Sequence, residues 1–207
     1  MAHQHPEFAE GRFGNPADLD AYLGRLEDPA REAWQKPDQV VSALGLKRGQ
    51  AVCEIGAGPG YFSLRLARAV GEAGQVFAAE VELAIINVLR QRIDSSGLRN
   101  VTPVFALADD PLLPPAACDL ILIVNAYHHF PDGPAYLRKL LRALRQGGRI
   151  VNIDFHKRDL PVGPPLEHKV SRDAFLAEAE RGGLVLAAEH SFLDFQYFLE
   201  LQAGPVR

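Results

Sequence analysis

Hydrophobic positions along most of the chain follow one of two periods. Short apolar runs of five to seven residues, typical of buried strands, alternate with longer segments whose apolar residues recur every three or four positions, which predicts helices. The predicted strands are 51–55, 75–79, 101–106, 119–124 and 149–155, and the predicted helices are 61–70, 83–95, 134–144 and 172–181. Repeated strand–helix units predict a parallel sheet with helices on both faces.

The pattern changes after the last of these helices. Two apolar runs, 184–189 and 192–201, are separated by only a short connection, which predicts an antiparallel hairpin. Together with the five parallel strands, this hairpin predicts an α/β fold with a Rossmann-like, doubly wound, mostly parallel sheet of seven strands.

The N-terminal region contains no predicted strand. Residues 1–16 show little periodicity and are expected to form a loose arm, whereas helical patterns occupy 17–26 and 30–44. Because Pro37 lies inside the second pattern, that helix is predicted to break after Lys36.

Composition narrows the class of protein. At 207 residues the chain is about one domain, expected at residues 46–207 after an arm and cap helices at residues 1–45. The net charge is −4 and the isoelectric point is near 6.0, whereas a nucleic-acid-binding domain would have a value above about nine. No apolar run approaches the roughly 20 residues of a membrane span. Cys53 and Cys118 lie in or beside predicted strands, so we expect a reduced, cytoplasmic protein that binds neither nucleic acid nor membrane.

The loop after the first strand carries the most chemical information. Glycines at Gly56, Gly58 and Gly60 permit a sharp turn and bring bare backbone close to a ligand. A dinucleotide loop has its third glycine at the sixth position of the motif, which is Tyr61 here. Glu54 would repel a pyrophosphate and suits a ligand with a positive charge.

The pattern acidic-x-Gly-x-Gly-x-Gly between Val52 and Phe62 resembles the first motif of class I S-adenosylmethionine-dependent methyltransferases. The resemblance extends over about residues 30–200, to small-molecule methyltransferases with Tyr-His-His after the fourth strand. It implies S-adenosylmethionine as cofactor, S-adenosylhomocysteine as product, and methyl transfer to an oxygen, nitrogen or carbon atom of a small molecule. The loop residues that it implies for cofactor binding are Glu54, Gly56, Ala57, Gly58, Gly60 and Tyr61.

Ligands of open α/β sheets bind beyond the carboxyl ends of the strands. Glu80 follows the second strand, about 20 residues after the glycine loop, where a carboxylate can accept hydrogen bonds from both ribose hydroxyls; Val81 is assigned to the same site. Asp109 follows the third strand and is the candidate for the adenine amino group, a role that the resemblance supports through Leu113-Pro114. Asp110 is a rival for that role.

The fourth strand ends in a polar segment next to where the methyl group would be delivered. Asn125 is assigned to the cofactor site, and His128 and His129 follow it. Because imidazole titrates near physiological pH, these two histidines are the candidate catalytic bases. The alternative is that they bond to loop backbone and position the site.

Substrate walls are expected from segments outside the sheet. Trp34 and Lys36 lie before the first strand, and His156 and His168 lie in the loop after the fifth. Lys36 could instead pair with the carboxylate of the cofactor. The seven histidines show no spacing typical of metal ligands, so no metal site is expected.

Other functions fit the sequence less well. A nicotinamide oxidoreductase is disfavoured by Tyr61, and an adenine-N6 nucleic-acid methyltransferase by Asn125-Ala126-Tyr127, which lacks the two prolines of that class. Cys53 and Cys118 cannot supply the thiols of an arsenic methyltransferase. A non-catalytic S-adenosylmethionine-binding or partner-regulating protein stays an alternative, and an RNA or protein methyltransferase is a weaker one.

Overall fold

A computed structural model describes residues 19–205, and within that range seven strands form one sheet in the order β3-β2-β1-β4-β5-β7-β6. The strands are β1 (Ala51–Ile55), β2 (Gln75–Glu80), β3 (Val101–Phe105), β4 (Cys118–Val124), β5 (Leu144–Phe155), β6 (Leu184–His190) and β7 (Gln196–Ala203). Strands β1 to β5 pair in parallel, whereas β7 is antiparallel to both of its neighbours. The doubly wound sheet and its C-terminal antiparallel hairpin are confirmed.

Helices cover both faces of this sheet. They are α1 (Leu19–Leu26), α2 (Arg31–Gln35), α3 (Pro37–Ala43), α4 (Ser63–Val70), α5 (Leu83–Ser96), α6 (Gly133–Ala143) and α7 (Arg172–Arg181), with short 3-10 turns at Tyr127–His129 and Leu166–His168. The predicted break after Lys36 is confirmed, since this residue has a φ of 47° and Pro37 begins α3. The predicted arm, residues 1–16, lies outside the described residues. None of the helices described is both long and apolar enough to cross a membrane.

Two apolar clusters hold the sheet between the helices. One contains Leu66 and Leu89 from α4 and α5, and the other contains Leu140 and Phe175 from α6 and α7. All five residues of β1 are buried, as expected for a central parallel strand covered on both faces. This packing leaves the carboxyl ends of β1, β2, β4 and β5 side by side at one edge.

The starts of two strands differ from the predictions by four residues or more. Strand β5 begins at Leu144 instead of residue 149, because Leu144 pairs with Cys118 before a register shift that lets Arg149 pair with Leu120. Strand β7 begins at Gln196 instead of residue 192. The carbonyl of Phe192 accepts a hydrogen bond from the ammonium of Lys36, so a tertiary contact holds this segment outside the sheet.

Candidate functional site

The glycine loop after β1 is shaped for close approach. Gly56, Gly58 and Gly60 have φ angles of 72°, 54° and 92°, in the left-handed region that favours glycine. A Cβ atom at Gly56 would lie 2.7 Å from the Cβ atom of Ala126, and one at Gly60 would lie 2.8 Å from Leu89. The loop therefore requires glycine at these two positions on steric grounds.

Backbone bonds fix the loop against the end of β2. The amides of Gly56 and Ala57 donate to the carbonyl of Ala79 at 2.9 and 3.0 Å. The amide of Gly58 donates to Oε2 of Glu80 at 2.9 Å. The Gly-rich turn and the acidic residue, predicted separately as cofactor ligands, are thus in direct contact.

Glu80 is a buried carboxylate, only 6% exposed. Its Oε1 atom accepts hydrogen bonds from the amides of Val81 at 2.7 Å and Glu82 at 3.1 Å. Burial raises the pKa of Glu80, and the three amides that donate to it oppose that shift. A carboxylate with three fixed donors and the glycine loop beside it is suited to accept hydrogen bonds from a polar ligand.

A cavity of about 120 Å³ opens beside Glu80. It brings together residues from the ends of β1, β2, β3 and β4 and one tyrosine of α1. The lining is Tyr22, Ile55, Gly56, Ala79, Glu80, Val81, Glu82, Ile85, Ala106, Leu107, Ala108, Asn125, Ala126, His129, Phe130 and Tyr136. Five predicted site residues are therefore gathered on one cavity: Gly56, Glu80, Val81, Asn125 and His129.

Glu54 lies behind the loop, outside the cavity lining. Its carboxyl group accepts a hydrogen bond from the hydroxyl of Ser63. Burial raises the pKa of Glu54 to about 8, although the bond from Ser63 and the charge of Arg31 act in the opposite direction. A cation bound close to this carboxyl group would stabilise its ionised form.

Arg31, on α2, is a buried cation that the sequence analysis did not single out. Its guanidinium lies 3.9 Å from the ring centre of Tyr61 and donates to the carbonyl of Leu26 at 2.9 Å. Tyr61 itself donates to Glu32 at 2.9 Å and lies outside the cavity lining. The sequence signal that could have identified Arg31 is the place of an arginine on the buried face of an amphipathic helix.

Asp109 and Asp110 also lie outside the cavity lining. Lys139 donates to the backbone carbonyl of Asp109 at 2.6 Å and pairs with the carboxylate of Asp110 at 3.1 Å. A backbone amide, of Leu112, also donates to Asp110 and lowers its pKa. The residues near the end of β3 that do line the cavity are Ala106, Leu107 and Ala108.

Asn125 closes β4 in a left-handed conformation, with a φ of 55°. Its side chain belongs to a ring of three amides: Asn125 donates to Gln35 at 3.2 Å, Gln35 to Gln196 at 2.6 Å, and Gln196 to Asn125 at 2.5 Å. The ring ties α2 to the end of β4 and the start of β7. Neither glutamine was predicted, because each is an ordinary polar residue until the fold brings them together.

The two histidines after β4 have different surroundings. Nδ1 of His128 lies 3.0 Å from both carboxylate oxygens of Asp154, at the end of β5. His129 lines the cavity, and burial, with smaller effects from His128 and His168, lowers its pKa to about 3. The ring centres of His128 and His129 are 4.3 Å apart.

The four predicted substrate residues each have different neighbours. Trp34 packs against Phe155 at the end of β5, with ring centres 5.7 Å apart, and His168 lies close enough to His129 to influence its pKa. His156 lies near Tyr197, with ring centres 6.1 Å apart. The ammonium of Lys36 pairs with Asp194 at 3.2 Å and so belongs to the contact between the cap helices and the hairpin. No cluster of three or more ligating side chains that could hold a metal occurs within residues 19–205.

Comparison with known proteins identifies methyltransferase relatives. Residues 52–148 match a family model described as a methyltransferase domain. A relative named ubiquinone/menaquinone biosynthesis C-methyltransferase UbiE, from Vibrio vulnificus, is 32% identical over 146 residues, which cover 70% of this chain and 55% of the relative. The chain thus spans a little over half the length of the curated relatives that it matches.

Solved structures share the fold over most of this chain. A methyltransferase from Aquifex aeolicus described as S-adenosylmethionine-dependent superposes with a TM-score of 0.84 at 25% identity, covering 89% of this chain and 97% of that one. The [4+2]-cyclase SpnF superposes with a TM-score of 0.69 at 15% identity over 83% and 82% of the two chains, which is a likeness of fold alone. By its glycine motif, its strand order and these relatives, the chain belongs to the class I S-adenosylmethionine-dependent methyltransferases.

Proposed function

We propose that this chain transfers the methyl group of S-adenosylmethionine to a small, uncharged ring compound that carries an ionisable hydroxyl group. The observation that carries this proposal is the single cavity that joins Glu80 to Asn125 and His129 beneath the glycine loop. In open α/β sheets such a position, at the switch in strand order, is the general ligand site.

The residues present fit the cofactor. The steric requirement for glycine at Gly56 and Gly60 leaves bare backbone along the loop, and Glu80 would accept from the ribose. Glu54, whose pKa is raised to about 8 by burial, would be ionised by the ammonium group of the methionine part and would hold it. The buried guanidinium of Arg31 would hold the carboxylate group. When bound, the cofactor supplies a methyl group that its sulfonium has already made electrophilic. The chain has to orient the acceptor and exclude water.

Two features support an uncharged, planar acceptor. His129 lines the cavity and, with its pKa lowered to about 3 by burial, stays neutral near pH 7. The rings of Phe130 and Tyr136 line the cavity, stacked with their centres 4.1 Å apart, and offer an aromatic surface for a ring to pack on. The name of the UbiE relatives refers to C-methylation in quinone biosynthesis, which favours a hydroquinone-like ring and a carbon nucleophile among the possible acceptors.

The test has two stages. Calorimetry with S-adenosylhomocysteine and with NAD examines the cofactor: binding of the former and not the latter is expected, and tighter binding of NAD would overturn the proposal. Transfer of a labelled methyl group is then measured on a panel of hydroquinones, catechols and charged phenolic acids. Transfer to neutral hydroquinones is expected. Transfer only to the charged acids, or to none of the panel while S-adenosylhomocysteine binds, would refute the proposed acceptor class but not the cofactor.

A further inference from the structure

The short helix α2 is held on the sheet by polar side chains. Its buried residues are Arg31 and Gln35, which are 8% and 0% exposed. A helix of five residues gains little stability from its own hydrogen bonds, so the partners of these two side chains determine where α2 lies. Arg31 donates to the carbonyl of Leu26, and Gln35 reaches across to the sheet.

Gln35 belongs to the ring of three amides, in which each side chain donates one hydrogen bond and accepts one. Nε2 of Gln35 donates to Oε1 of Gln196, Nε2 of Gln196 to Oδ1 of Asn125, and Nδ2 of Asn125 to Oε1 of Gln35. Gln196, the first residue of β7, is 1% exposed. The ring is thus buried, and it joins α2 to the ends of two strands.

Arg31 fixes the direction of the ring. Three amides alone would be satisfied equally well with every side chain turned over, because the turn exchanges the oxygen and the nitrogen of each amide. A guanidinium only donates, and Nε of Arg31 lies 3.4 Å from Oε1 of Gln35. Gln35 must therefore present its oxygen to Arg31 and to Asn125, and Asn125 must present its nitrogen to Gln35.

The ring reaches the cavity at Asn125. This residue lines the cavity and has a φ of 55°, a conformation that persists only where the surrounding structure holds it. Its backbone amide donates to the carbonyl of Ile153 at 2.9 Å, and the ring holds its side chain from both ends. The ring therefore connects a residue at the cavity with Arg31, the proposed partner of the cofactor carboxylate.

We propose that Gln35 is a positioning residue for the cofactor: through the amide ring it holds Arg31 and Asn125 in the relative places that S-adenosylmethionine requires. The inference rests on the proposed function, in which Arg31 holds the carboxylate group. Gln35 needs no contact with the cofactor in this role. Gln196 acts through the same ring from β7, although it lies outside the cavity lining.

A ring of amides is suited to orientation. Paired buried amides stabilise a fold little more than apolar side chains of the same shape would, but hydrogen bonds are directional and define angles that apolar contacts leave free. Removal of one amide leaves the other two with buried unpaired groups. The free protein can relieve them by letting α2 move, whereas the cofactor needs α2 in place, so the cost appears as lost affinity.

The first test uses Gln35→Met and Gln196→Met, which keep the length of the side chain and remove its amide. Each variant should weaken the binding of S-adenosylhomocysteine, measured by calorimetry, by about fivefold or more. Because both residues act through one ring, the double variant should lose clearly less affinity than the product of the two single losses. Single losses that multiply in the double variant, or parent affinity in folded Gln196→Met, would overturn the inference.

Trp34 gives a second readout, which needs no ligand. It is the only tryptophan of the chain, it precedes Gln35 in α2, and its ring centre lies 5.7 Å from that of Phe155. In each ligand-free variant its fluorescence emission should shift to longer wavelength as α2 moves. Saturation with S-adenosylhomocysteine should return the emission towards the parent value. A parent-like emission in ligand-free variants that bind more weakly would overturn the inference.

Gln75→Met is the matched control. The amide of Gln75 donates to the hydroxyl of Thr102 at 2.9 Å, at the start of β2 and outside the cavity lining, so affinity should stay within about twofold and the emission of Trp34 should not change. Parent affinity and parent emission in both ring variants would refute the role of the ring and leave methyl transfer standing. Failure of the parent protein to bind S-adenosylhomocysteine would instead refute the proposed function.

Discussion

Replacing Glu80 with alanine is expected to weaken S-adenosylhomocysteine binding by roughly 10- to 150-fold. The carboxylate offers about four acceptor positions, and the amides of Gly58, Val81 and Glu82 occupy three of them. About one position is therefore left for a ribose hydroxyl. A hydrogen bond to a charged group contributes about 1.5–3 kcal/mol, which gives the stated range.

The magnitude discriminates between two geometries. If both ribose hydroxyls bonded to Glu80, about two such bonds would be lost and the dissociation constant would rise by roughly 10² to 10⁴. An effect above a thousandfold would therefore mean that one of the three backbone amides leaves the carboxylate when the cofactor binds. The sequence alone predicted both ribose contacts, because the amides that compete for Glu80 become visible only in the fold.

Calorimetric titration with S-adenosylhomocysteine measures the effect. Glu82→Gln is the control, because it removes the same charge from another residue lining the cavity and should cost less than about 1 kcal/mol. Thermal unfolding without ligand separates a binding defect from a folding defect, since the alanine variant leaves the Gly58 amide without its acceptor. A dissociation constant within twofold of the parent value, in a folded variant, would refute the assignment of Glu80 to the ribose.

Two stability measurements test the loop and its buried acid. Gly60→Ala should lower the free energy of unfolding in urea by about 1–3 kcal/mol, because its Cβ atom would lie 2.8 Å from Leu89 at a φ of 92°. In Gly58→Ala the new Cβ atom would lie 3.4 Å from Leu26, so the loss should be about 1 kcal/mol. Equal losses would contradict the steric argument. Burial raises the pKa of Glu54 from 4.5 to about 8, so the folded protein keeps a proton that the unfolded chain releases, and stability falls as pH rises through that window. Glu54→Gln should therefore be more stable than the parent at pH 8 but not at pH 4, and parallel pH profiles would contradict the raised pKa.

Much of the fold could be predicted because its central strands β1 and β4 are mostly apolar. The bounds of β1 and α7 match the predicted 51–55 and 172–181, and the break before Pro37 follows from the ring of proline. The start of β5 could not be predicted, because Gly147 and Gly148 are equally typical of a helix end and of a strand that loops out between two registers.

For the site, the sequence predicted positions at strand ends better than contacts. Glu80 and Asn125 line the cavity as their places after β2 and β4 suggested. Lys36 and Arg31 are both basic residues of the cap-helix region, and the sequence does not show which of them is buried. In the structure Lys36 pairs with Asp194, whereas Arg31 lies against the ring of Tyr61. Asp154 carried no signal beyond its place near the end of a strand, because its partner is 26 residues away.

Several unfavourable features of this molecule lie at one edge of the sheet. At the ends of four neighbouring parallel strands lie a buried acid with its pKa near 8, a second buried acid, an asparagine in a left-handed conformation and a buried carboxylate against a histidine: Glu54, Glu80, Asn125 and Asp154. Asp119, at the opposite edge of the sheet, is a carboxylate whose contacts stabilise the fold. It is partly exposed, accepts the amide of Ala51 at 2.7 Å and pairs with Arg145 at 2.8 Å. Burial of polar groups and backbone strain both oppose folding, and their occurrence together at the carboxyl edge is what the proposed ligand site predicts.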